Sequence, residues 1–140
     1  TIFVARRWPL LLLLWSLFNP ASVHADNEKI VYHLHYMQAD SLNRALSNLE
    51  NLHKGMPGQQ LDVRLLLQGG SIRLLDPALG KPIRERLQGL RHNGVRIEVS
   101  RRNYENNRDR IDHRHPPQLV ANIFSRIVEL EQQGYKYVTP

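Results

Sequence analysis

The chain contains no cysteine among its 140 residues. That removes a disulfide framework, a thiolate nucleophile, a cysteine-based metal site and a lipid-modified cysteine anchor. The fold must hold through its core without covalent staples. Also missing is an apolar run long enough to cross a bilayer, which takes roughly 20 residues. No G-x-S-x-G pattern surrounds Ser71 or Ser100, so neither reads as a hydrolase nucleophile, with His33 or His113 as its base. Neither a P-loop nor a G-x-G-x-x-G is present, so nucleotides have no sequence support and no cofactor is expected. Internal repeats and low-complexity tracts are absent as well.

What is present fits one domain with a leader. Arg6-Arg7 forms a positive start, and Leu10–Leu14 with Trp15, Leu17 and Phe18 an apolar stretch of secretory length. Asn19-Pro20 breaks that stretch, and Val23-His24-Ala25 is an A-x-A-like cleavage site. Residues 1–25 are therefore expected to be a secretory signal peptide cleaved after Ala25. The product, residues 26–140, would be periplasmic or secreted, with no stable membrane insertion. A domain of that size buries roughly two-thirds of its unfolded surface, enough for an ordinary core. The balance of 19 Lys+Arg against 13 Asp+Glu makes the chain basic.

The stretch that organises the domain is Leu61–Gly70, LDVRLLLQGG. A short, nearly continuous apolar run reads as a strand buried on both faces, as in a parallel sheet covered by helices. Gly69-Gly70 stops it, and Ser71–Leu75 follows as a helical turn. Upstream, Lys29–Tyr36 is a β-branched and aromatic strand. Asp40 or Ser41 then caps a helix carrying Leu42, Ala45, Leu46, Leu49 and Leu52. Downstream, Asp76-Pro77 marks a turn, and Pro82 opens a helix with Ile83, Leu87 and Leu90, closed by Gly94. Val95–Val99 alternates as a third strand. Arg101–Pro117 is polar and reads as a long loop or a solvated helix. Gln118–Val120 is a short strand, Asn122 caps a helix over Ile123–Leu130 closed by Gly134, and Tyr135–Val138 is the last strand. Strict alternation of strand and helix implies right-handed crossovers and an α/β domain with helices on both sheet faces.

The YHLH of the first strand, the LLLQGGSIRLL corner, the helix into NGVRIEV and the ending LEQQGYKYVTP resemble the DsrE/DsrF-like family across nearly all of residues 26–140. That family includes small sulfur-relay proteins and exported relatives of unknown role. The resemblance implies a three-layer α/β/α domain with a five-stranded, mainly parallel sheet, Rossmann-like in organisation, often assembled as a homotrimer or homohexamer. It implies, too, that Ser100 stands where the sulfur-handling members carry cysteine. A serine hydroxyl cannot carry a persulfide, which needs an accessible thiolate. Gln68 stands where relatives often carry His or Asn, and His33 where they often have His without a metal.

Gln68, Gly69, Gly70 and Ser71 at the end of one strand, and Ser100, Arg101, Arg102 and Asn103 at the end of the next, form the candidate ligand site, together with His33. Open α/β sheets place ligands at strand carboxyl ends, near the topological switch point. Two arginines and a helix N-terminus would suit a small anion or oxidised sulfur species. His33 with His35, and His113 with His115, repeat an H-x-H spacing, but third and fourth ligands are lacking and no metal is expected. Arg101, Arg102, Arg108, Arg110 and Arg114 are interleaved with Glu105, Asp109 and Asp112. That interleaving argues against a nucleic-acid partner and for a solvated or subunit-facing loop. Two functions follow as expectations: a non-catalytic binder of a small anion or sulfur compound, or a homo-oligomer whose Arg101–Pro117 segment meets a protein partner.

Overall fold

A computed structural model describes residues 28–35 and 38–140. The expected leader, residues 1–25, lies outside the described residues. So does Tyr36, the expected end of the first strand. Twelve elements alternate along the described chain: β1 (Glu28–Leu34), α1 (Ala39–Gly55), β2 (Leu61–Leu67), two 3₁₀ turns (Gly69–Leu75 and Pro77–Leu79), α2 (Lys81–His92), β3 (Val95–Ser100), α3 (Arg101–Asn106), a third 3₁₀ turn (Arg108–Arg110), β4 (Gln118–Val120), α4 (Ile123–Gln132) and β5 (Lys136–Val138). The strands form one sheet in the order β4-β3-β2-β1-β5, and every pairing is parallel.

That order dictates the layers. From β1 to β4 each crossover steps the same way, so right-handed connections put α1, α2 and α3 on one face. The last crossover jumps from one edge to the other, past β1, and puts α4 alone on the opposite face. The cores match: a large cluster joins Ile30, Tyr32, Leu65, Leu67 and Val99 to Leu42, Leu46, Leu49, Leu87 and Leu90. A smaller one joins Val31, Leu66, Ile123, Ile127, Leu130 and Tyr135. β2 sits in the middle of the sheet with Leu65, Leu66 and Leu67 all fully buried, as a strand covered on both faces requires.

Local signals account for most boundaries. Asn122 accepts a hydrogen bond from the Ser125 N–H and caps α4. Pro82 lies in the first turn of α2. Gly94 follows that helix at φ +98°, and a Cβ there would sit 2.8 Å from the Leu61 carbonyl oxygen. At α1 the expected cap is corrected. Gln38, not Asp40 or Ser41, holds the N-cap position, and no side chain caps it. Asp40 instead falls in the first turn, where its carboxylate meets the positive end of the helix dipole.

Arg101–Pro117 is more ordered than a solvated loop. Ser100 accepts from the Asn103 N–H and starts α3. Ile111 and Pro117 are buried, and the Asp112 N–H donates to the Leu75 carbonyl. The segment is pinned to the body at both of those points.

Candidate functional site

The carboxyl ends of β1, β2 and β3 lie side by side and form a rim. At its centre β2 runs into Gln68 and the glycine corner, where Gly69 takes φ +58°. Such a φ suits glycine. The Gln68 N–H donates to the Leu34 carbonyl at 2.8 Å, carrying the β1–β2 pairing one residue past the strands. Ser71 is fully buried. Its hydroxyl lies 2.7 Å from the Leu34 carbonyl and 2.8 Å from that of Gln68, and it braces the corner from below. Next to the corner, Asn103 on α3 donates its side-chain N–H to the Gly69 carbonyl at 3.0 Å. The two halves of the expected site, one after β2 and one after β3, are therefore in contact. Gly70 lies on the corner itself, and Ser100 has its hydroxyl engaged in capping. Arg101 and Arg102 project from α3 and are exposed.

The other end of the rim is built on β1 and β5. His33 is buried, with 4% of its surface exposed. Its Nε2 lies 2.6 Å from Gln68 Oε1 and its Nδ1 lies 2.8 Å from the Tyr137 hydroxyl. His35, Phe124 and Tyr137 place their rings 5.2, 6.3 and 5.8 Å from the His33 ring, centroid to centroid. Burial lowers the His33 pKa below the ordinary value. The Gln68 bond opposes that shift and the neighbouring His35 adds to it. The sheet changes its direction of travel between β1 and β5. The topological switch point thus falls at His33 and Tyr137.

Tyr137 and Phe124 were not among the residues expected at the site. The signal that could have found Tyr137 is the GYKYVTP ending, which carries the family resemblance and the last strand. A second group missing from the sequence reading lies beneath α4. Glu98 is fully buried and receives Arg64 Nη1 at 2.9 Å and Arg126 Nε at 2.6 Å. On the polar side of the alternating VRIEV strand, Glu98 is covered while Arg96 stays exposed. Asp62, on the same face, accepts from the Tyr135 hydroxyl at 2.6 Å and pairs with Arg96 and Arg64. Burial alone would raise the Asp62 pKa. The Tyr135 bond and the two arginines outweigh it and hold the carboxylate below its ordinary range.

The two H-x-H pairs serve different elements: His33 contacts Gln68 and Tyr137, while His113 Nδ1 lies 3.1 Å from the Tyr104 hydroxyl. Among the described residues no three His, Asp or Glu side chains are grouped to hold a metal ion. The basic segment is partly self-neutralised, through Arg108 with Glu105 and Arg114 with Asp112. A cleft of about 750 Å³ lies at the opposite end of the sheet, lined by Gln60, Asp62, His92, Asn93 and Arg96. It opens at the end where α1 and α2 terminate in carbonyls, a poor setting for an anion. No helix among the described residues is long and apolar enough to cross a membrane.

No family model matches the chain, and no curated protein matches it. Solved structures do. A protein of unknown function, MTH1491 from Methanobacterium thermoautotrophicum, superposes with a TM-score of 0.66 at 15% identity, over 81% of this chain and 100% of its own. The ychN protein from E. coli superposes with a TM-score of 0.52 at 17% identity, over 81% of this chain and 99% of its own. The shared feature is the fold, which in this chain is a five-stranded parallel sheet flanked by helices. At these identities the likeness is one of fold alone.

Proposed function

We propose that this chain is an exported, non-catalytic DsrE-like protein that binds a small anionic or sulfur-containing ligand at the carboxyl-end rim, as an accessory to sulfur metabolism. The observation that carries the reading is the Asn103–Gly69 hydrogen bond. It joins the glycine corner to the arginine-bearing start of α3, so that Gln68, Gly69, Gly70, Arg101, Arg102 and Asn103 adjoin one surface. Charge-assisted hydrogen bonds from arginine and amide donors suit an oxyanion. Ser100, occupied in capping α3, supplies no sulfur chemistry, so the rim holds a ligand without exchanging sulfur with it. Ser71 contributes by bracing the corner. The experiment is a thermal-shift screen of the protein against sulfate, sulfite, thiosulfate and phosphate at millimolar concentration. A ligand at a hundred times its Kd stabilises by about 2.7 kcal/mol. No shift with any of the four removes the reading.

A second reading is a homo-oligomer, trimer or hexamer, that meets a protein partner through the Arg101–Pro117 segment. It draws on Phe124, Val128, Tyr137 and Val138, large apolar side chains left exposed around α4 and β5. Such patches mark protein contacts more often than solvent. Deleting the segment would also remove the buried Ile111 and Pro117, so charge reversal at Arg101 and Arg110 is the cleaner test of the partner. Light scattering that gives the mass of a single chain removes the oligomer.

A further inference from the structure

We propose that Gln68 is the group that meets the anion at the rim, and that His33 and Tyr137 are positioning residues that decide which end of its amide faces outward. The inference rests on the reading of the rim as an anion site.

The direction follows from donor and acceptor bookkeeping. Gln68 Oε1 lies 2.6 Å from His33 Nε2. A carbonyl oxygen only accepts, so Nε2 carries the proton. A neutral imidazole has one N–H, so Nδ1 is bare and accepts. Its partner at 2.8 Å is the Tyr137 hydroxyl, which therefore donates. The chain runs one way: Tyr137 O–H to His33 Nδ1, then His33 Nε2–H to Gln68 Oε1. Burial of His33 favours the neutral ring that this arrangement needs.

The consequence appears at Gln68. Its carbonyl end is held inward, and its Nε2H₂ group is left over. Among the described residues no buried side-chain nitrogen or oxygen lacks a partner, and none donates to or accepts from that group. The NH₂ group is therefore not sealed from solvent, on the half-buried residue that enters the Gly69–Gly70 corner. There it presents two donors and no acceptor. A sulfate, sulfonate, phosphate or carboxylate oxygen is matched by it; a cation is not. With the amide turned over, the same site would show a carbonyl oxygen and repel an anion. While His33 keeps its Nε2–H tautomer, rotating the amide costs the His33 bond, so β1 and β5 set the polarity of a site on β2. The position fits: the chain crosses the β5–β1 switch point, where open α/β sheets form their crevice.

The test has two parts. Long-range ¹H–¹⁵N correlation spectra of the labelled protein report the His33 tautomer directly. The Nε2–H form is expected, and Tyr137→Phe, which removes the proton donor to Nδ1, should introduce the Nδ1–H form. A wild-type protein holding His33 as the Nδ1–H tautomer overturns the inference. Sulfate and thiosulfate are then titrated separately by calorimetry. Gln68→Glu, which puts acceptors at both ends, should weaken the tighter of the two at least about tenfold while the circular dichroism stays unchanged. Tyr137→Phe should weaken it several-fold. If wild type binds and Gln68→Glu binds equally well, this inference fails and the anion site stands. If wild type binds neither anion nor the other two of the screen, both fail together.

Discussion

Replacing Glu98 by leucine tests how α4 is held to the sheet. Fewer buried apolar residues join α4 to its face than join the helices to the other face. Beside them sits Glu98, fully buried between Arg64 and Arg126, whose side chains are 11% and 16% exposed. Removing one partner of a buried charge pair costs about 3–5 kcal/mol, because the other is left without compensation. Here Arg126 retains the exposed Glu129, and Arg64 retains Asp62 at 3.4 Å. The loss should therefore fall near the lower end, about 3 kcal/mol. Against a total stability of roughly 5–15 kcal/mol, that is a large share. It corresponds to a fall in Tm on the order of 12–20 °C. The reading also predicts the reverse. Changing Glu98 to leucine together with Arg64 and Arg126 to methionine removes Glu98 and both its partners at similar volume, while Asp62 keeps Arg96 and Tyr135 and Glu129 stays exposed. That triple variant should recover most of the lost stability. Urea unfolding followed by far-UV circular dichroism measures both. A single substitution costing under about 1 kcal/mol would refute the charge-pair account. So would a triple variant as unstable as the single one, since packing rather than charge would then be at stake.

Three more outcomes are expected. Because burial lowers the His33 pKa, the unfolded chain binds protons more readily there. Its contribution to stability is full above the unfolded pKa of about 6.5 and declines as pH falls below it. Unfolding curves at pH 7.5 and pH 5 should differ less in His33→Asn than in wild type; an equal difference would show that His33 is not the group responsible. Asp62, held below its ordinary range, contributes stability above the unfolded value of about 3.9 that is lost as pH falls through its folded pKa. Tyr135→Phe should move its titration, followed by ¹³C carboxyl shifts, back toward the ordinary value. Gly94→Ala should destabilise by more than the ~1–2 kcal/mol of a left-handed alanine alone, because its Cβ meets the Leu61 carbonyl, whereas Gly134→Ala, with open space around it, should stay within that range. Equal losses at the two glycines, by thermal melts, would discount the close contact.

The fold was legible because its signals are local and its elements regular. The strand Leu61–Leu67, Pro82, Gly94, Asn122 and Gly134 each act within a few residues of themselves. The alternation they delimit leaves little choice of topology. The rim was legible at the level of strand ends, and Gly69 and Asn103 do meet there. What was not legible joins residues far apart in the chain. Tyr137 reaches His33 across 104 positions, and Arg126 reaches Glu98 across 28. Nothing in VRIEV says that a lone helix will close over Glu98 and leave Arg96 open. The place of the switch point was not legible for the same reason, because it depends on where the final strand lands. In the polar segment, Ser100 and Asn103 carried a readable cap signal. The charges around them spoke for solvent, while buried Ile111 spoke for attachment.

The position of β5 has a consequence for when the rim comes into being. A chain being made can lay down β1, β2 and β3 and fold the glycine corner with His33 still open on one side. Only the arrival of Tyr137, long after its partner, supplies the donor that settles which ring nitrogen is protonated. Shape is thus completed early and polarity late. A copy clipped before its last strand would hold most of the body while presenting an unset amide to any ligand.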